Sequence, residues 1–277
     1  MNPFCYMQAR YFLIIFALLL FIGSVIKFLL ENTFNLSIQL SYFIDIFTLY
    51  IFPSFWLWYQ YKRHDISLAV FINRREPFKL SQVLLITGML CMFSYGFLVL
   101  YMYSFSWITP HFIMNLLHKP IIGSTGEYVS QIIITIFVAP IIGELLFRGF
   151  LFQRFAAKWG TGKGMIVVAL IFGCFHVDFL SAVMFSIVLS IVYIRTKSLL
   201  MPISIHMLNN LVFFTVTFML SKEKMVSLAD FTNYTTFFTG LILFIIGLNL
   251  LLVFLFANRR YLNKGMPGLY SDKVREL

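Results

Sequence analysis

Eight apolar runs, most of them near the length a helix needs to cross a bilayer, dominate this chain of 277 residues. They fall roughly at 11–30, 38–60, 82–104, 128–151, 164–177, 179–194, 199–219 and 237–257. A hydrocarbon core of about 30 Å takes about 20 helical residues. Backbone polar groups in lipid must be bonded within their own segment, so such runs fold as helices. The expectation is an all-α polytopic membrane bundle of about eight transmembrane helices. Composition agrees: 60% of residues are hydrophobic and 12% charged, against about 25% charged in soluble domains. An ordinary soluble enzyme, a disordered chain and a secreted disulfide scaffold are excluded. The first run is too long for a cleavable signal and no A-x-A site follows it, so it reads as an anchor.

The net charge of +10 is explained by its distribution. With the N-terminus inside, the inner segments hold Arg10; Lys62, Arg63, Arg74, Arg75 and Lys79; Arg154, Lys158 and Lys163; Arg195 and Lys197; and Arg259, Arg260, Lys264, Lys273 and Arg275. The outer segments hold only Lys119, Lys222 and Lys224, while Lys27 and Arg148 lie within spans. That asymmetry predicts both termini in the cytoplasm, in a cell membrane. It makes the basic charge an orientation signal, so no nucleic-acid partner is expected. Membrane lipid is the expected surrounding. Cys5, Cys91 and Cys174 form no CxxC and read as small hydrophobes.

Three portions are expected: residues 1–127 with three spans, a core at 128–219, and residues 220–277 with the last span and a polar, basic tail. The longest outer loop is expected at 105–127, and the apolar stretch Ile66 to Ile72 is expected along the interface. Ionisable side chains within a span are costly and face a cavity or one another. This chain concentrates them in its second half: Glu144 and Arg148 in APIIGELLFRGF, His176 in FGCFH, and His206 and Asn210 in SIHMLNN. Glu144 and Arg148 are spaced i, i+4 in the favourable order and can pair. His206 and Asn210 likewise share a helix face. At about 1.5 Å per residue, Glu144, His176, His206 and Asn210 lie roughly 10–18 Å into their spans from the basic ends. A polar cavity opening toward the cytoplasm follows from that common depth.

Hydrolysis suits such a cavity. A carboxylate or imidazole takes a proton from water, and His and Asn donors stabilise an oxyanion. Two His and a carboxylate, here Glu144, His176 and His206, are also the ligand set of a catalytic zinc. HExxH is absent, so there is no standard zincin helix. A bound divalent metal such as zinc and a metal-free site both remain open.

These three segments resemble the CAAX-protease and bacteriocin-processing family of intramembrane endopeptidases, also called the Abi family, whose motifs are EExxxR, FxxxH and HxxxN/D on successive helices. The second matches from Phe172 to His176 and the third from His206 to Asn210; Glu144 and Arg148 fall in register with the first. The position of the first motif Glu holds Gly143. The resemblance implies that His176 activates water, that His206 and Asn210 form the oxyanion side, and that Arg148 is the ion-pair partner of Glu144. It implies prenylated C-terminal peptides, leader peptides or other membrane-associated peptides as substrates. Glu144 sits about 100° further round the helix than residue 143. Turning it inward calls for local unwinding at Pro140 to Gly143, where proline removes a hydrogen bond.

Two functions follow. One is an intramembrane endopeptidase acting on membrane-associated peptides. The other is a catalytically impaired relative acting as a membrane scaffold or as a regulatory or immunity partner. A small transporter is disfavoured by the lack of a second copy of the motif segment. Among other features, residues 160–164 miss the phosphate-loop pattern and predict a tight turn. Helical geometry puts Cys174 nearly opposite His176, as a core thiol. Lys27 and Asp45 are expected to pair between the first two spans.

Overall fold

A computed structural model describes residues 4, 6–34, 43–72, 79–108, 125–223 and 233–263. The outer loop at 109–124 and the tail at 264–277 lie outside the described residues. Every described part of the eight apolar runs is helical except residues 174–177 and Leu199, and no strand occurs among the described residues. The helices are α1 (Ala9–Phe34), α2 (Phe52–Arg63), α3 (Ala69–Ile72), α4 (Leu80–Ile108), α5 (Thr125–Ile133), α6 (Ala139–Glu144), α7 (Gln153–Trp159), α8 (Thr161–Gly173), α9 (Phe179–Thr196), α10 (Leu200–Glu223), α11 (Tyr234–Asn258) and α12 (Arg260–Asn263). Three wider π-helical stretches join some of them without a break. Phe47–Ile51 leads into α2, Ile134–Val138 joins α5 to α6, and Leu145–Phe152 joins α6 to α7.

Among the described residues, five segments are long and apolar enough to cross a membrane: Ala9–Leu30, Leu80–Ser106, Val129–Trp159, Phe179–Thr196 and Tyr234–Asn258. Thr161–Gly173 and Leu200–Val216 are apolar but shorter. The protein is therefore an all-α, multi-pass membrane bundle. Of the spanning helices α9 is the most enclosed and α1 the least. The unbroken buried run Val188 to Ile194 in α9 marks a helix covered on all sides, whose apolar residues need no preferred face. α1 instead holds to the bundle along one stripe, where Phe12 stacks on Phe52 at 6.0 Å and meets Phe150 edge-on at 5.8 Å. The expected ion pair is present: Lys27 Nζ lies 2.6 Å from Asp45 Oδ1.

Lipid tails are as apolar as leucine, so helices in a membrane gain by close backbone approach at small residues. α4 and α11 meet in this way. A Cβ at Gly96 would lie 2.3 Å from the Phe244 nitrogen, and one at Gly247 would lie 2.4 Å from the Phe93 nitrogen. The turn predicted at 160–164 is shorter in the structure. Gly160, at φ +85°, reverses the chain alone and α8 begins at Thr161. The stretch expected along the interface contains α3, whose Phe71 is fully buried, lies tilted against the Tyr61 ring and meets Phe4 edge-on. Arg154 Nε donates to the Met7 carbonyl at 2.8 Å, which ties the N-terminal segment to the same end of the bundle.

Candidate active site

Residues 125–159 form one continuous helix in which α-helical and π-helical stretches alternate. The first π stretch ends with the Ala139 N–H bonded to the Ile134 carbonyl, five residues back. Residue 140 would supply the next such bond, to Thr135, and it is proline. Proline has no N–H to give. The Thr135 carbonyl is bonded instead by Asn210 Nδ2 at 2.8 Å.

The unwinding expected at Pro140 to Gly143 is thus found elsewhere. Residues 139–144 stay α-helical, and the helix widens just before them. An i→i+5 stretch contains one residue more than the α-helical turn it replaces, so later positions slip round by about 100°. Measured from α5, Glu144 takes the angular place that residue 143 would hold in an uninterrupted α-helix. Glu144 points inward and is fully buried.

Three side chains converge there. Glu144 Oε1 accepts from Arg148 Nη1 at 2.9 Å and from His206 Nδ1 at 2.9 Å. Arg148 is also fully buried, and its Nη2 donates to the carbonyl and the hydroxyl of Ser186, each at 3.0 Å. Phe172 lies 5.2 Å from the guanidinium carbon, within cation–π range. Glu144 Oε2 is buried with no hydrogen-bond partner among the described residues, an acceptor with room in its chemistry for a water or a ligand donor. A Cβ built on Gly143 would meet only the His206 Cε1, at 3.8 Å, so that position faces the site and is open.

His176 is placed differently from the sequence expectation. α8 ends at Gly173, so His176 lies in the turn before α9. It is exposed, its ring stacks on Phe172 at 4.5 Å, and its Nδ1 donates to the Phe172 carbonyl at 2.9 Å. Phe172 also meets His206 edge-on at 6.0 Å, which makes it the common neighbour of both imidazoles. Cys174 is not a core thiol: it shares this turn and is exposed, because the helix that would have buried it has already ended. Exposure at the site is thus at the far end of α8 from Lys163. At the other end of the core Phe4, Met7, Phe71 and Phe152 are buried together, so the described residues do not show the opening expected there.

Carboxylates and carbonyls only accept, so both imidazoles carry their proton on Nδ1. Arg148 supplies the counter-charge to Glu144, and an imidazole that carries its proton on Nδ1 alone keeps a lone pair on Nε2. A catalytic zinc takes three protein ligands. Among the described residues no group of three His, Cys, Asp or Glu side chains is placed to hold a metal ion. Glu144, His176 and His206 therefore do not assemble into that ligand set.

Sequence reading missed Ser186, which contributes a carbonyl as well as its hydroxyl and leaves no mark in any motif. It also missed Thr135, whose only signal is the proline five residues later. Phe172 was visible as the first letter of FxxxH, though not as the floor under three charged or polar groups.

Comparison with known families falls on these same helices. One known family matches residues 125–212. They match the family model described as type II CAAX prenyl endopeptidase Rce1-like, over about a third of the chain. The matched segment runs from the start of α5 into α10 and contains Glu144, Arg148, His176, His206 and Asn210. No curated protein and no solved structure matches the chain.

Proposed function

We propose that this protein is an intramembrane endopeptidase that hydrolyses membrane-associated peptides at the Glu144–His206–His176 site. The observation that carries the reading is the shared Glu144 oxygen, bonded to Arg148 and to His206 Nδ1 out of contact with solvent. The Rce1-like match supports the reaction class. In this arrangement Arg148 is the counter-charge beside Glu144, and Glu144 fixes the tautomer and orientation of His206. His206 Nε2 takes a proton from water as the oxygen attacks the peptide carbonyl, and Glu144 stabilises the imidazolium that forms. The same proton then passes to the leaving amine as the C–N bond breaks, which restores the neutral imidazole. His176, with its own Nε2 free at the exposed rim, meets substrate and water first.

A second reading has its own observation. The Gly143 position faces His206 and carries no side chain, which leaves the family's first motif carboxylate unfilled and favours a scaffold or regulatory partner. Purified protein in lipid nanodiscs, incubated with a library of membrane-associated peptides, separates the two. Cleavage by the natural chain that is lost in His206→Ala supports the peptidase. Silence from the natural chain with activity in Gly143→Glu assigns the scaffold role, and silence from both overturns the peptidase reading.

A further inference from the structure

The resemblance implies an oxyanion role for Asn210, and one of its two amide donors has a separate partner. Its Nδ2 donates at 2.8 Å to Thr135 O, the carbonyl that Pro140 leaves without an in-helix donor. That carbonyl sits in the π stretch that turns Glu144 toward His206. In lipid an unbonded carbonyl is especially costly, because no water is at hand to satisfy it. We propose that Asn210 is a positioning residue: by capping Thr135 O it holds the widened turn before Pro140 and so aims the Glu144 carboxylate at His206. A second donor lies just past the end of α6, where the Tyr61 hydroxyl donates to the Leu145 carbonyl at 3.4 Å. Asn210 lies one helical turn beyond His206 on α10. The helix that presents the imidazole therefore also sets the register of the helix that presents its carboxylate.

The use made of the carboxylate rests on the peptidase reading; the clamp itself does not. The test is a double-substitution cycle on the full chain in nanodiscs, read by thermal unfolding and by the His206 Nδ1–H proton resonance. The resonance is assigned by its loss in His206→Asn. Asn210→Ala strips the cap, so the melting temperature falls and the hydrogen-bonded Nδ1–H signal broadens or disappears. Pro140→Ala returns an N–H to position 140, which bonds Thr135 O from within the helix and makes the cap redundant. The double variant Pro140→Ala/Asn210→Ala then recovers at least half of the lost melting temperature and regains the resonance. Equal losses from Asn210→Ala in both backgrounds overturn the proposal. An unchanged Nδ1–H signal in Asn210→Ala does so too, as does failure of both Asn210 variants to fold. Peptide cleavage enters neither readout, so failure of the clamp and failure of the peptidase reading are told apart.

Discussion

Arg148→Met isolates what the buried charge pair contributes. Both partners are fully enclosed, so the loss of the guanidinium leaves a carboxylate with no formal counter-charge and no water. Breaking a buried pair in this way costs about 3–5 kcal/mol. Little of that comes from Ser186, because its carbonyl still accepts from Ser190 Oγ at 2.8 Å. The deficit belongs to Glu144, and removing its charge should relieve it. In Arg148→Met/Glu144→Gln the carboxamide oxygen still accepts the His206 Nδ1–H, and no net charge remains in the core. For a protein of this size each kcal/mol moves the melting temperature by about 2–4 °C. Arg148→Met should therefore melt about 6–20 °C below the natural chain in detergent, and the double variant should recover more than half of that fall. A single variant that melts within about 2 °C of the natural protein refutes the reasoning. So does a double variant that melts as low as Arg148→Met, because the damage would then come from lost packing over Phe172 rather than from charge.

Two glycines give opposite expectations from the same kind of substitution. Gly143→Ala places a methyl 3.8 Å from His206 Cε1 with no other neighbour within 4 Å; it should raise stability by about 0.5–1 kcal/mol through helix propensity alone, measured by thermal unfolding. Gly247→Ala drives a methyl to within 2.4 Å of the Phe93 nitrogen, where backbone has no flexible end to give way. It should cost about 1–3 kcal/mol or more, and a melting temperature equal to that of the natural chain would show that α4 and α11 are not packed as described.

The bundle was legible because lipid imposes a coarse rule: long apolar runs become helices whatever their neighbours do. The pairing of Glu144 with Arg148 was legible for a similar reason, since an i, i+4 spacing tolerates small errors in helix geometry. The common depth of Glu144 and His206 pointed the same way. What escaped the sequence were departures from the regular helix. FGCFH reads as part of one apolar run, and nothing in its composition announces that the helix stops at Gly173. His176 and Cys174 were therefore assigned helix faces that they do not have. The azimuth of Glu144 was misjudged by the same assumption of about 100° per residue throughout, which one inserted residue at 134–138 is enough to overturn. Pro140 carried the warning, but a proline says only that a donor is missing. Which carbonyl is left free depends on whether the turn before it is α or π. Which side chain finds that carbonyl depends on a residue 75 positions along the chain, on another helix. The glycine at 143 and the inward turn of Glu144 are thus one structural problem: the register of a single helix decides whether the Glu144 carboxylate meets the imidazole, and by the proposal above that register is held through Asn210.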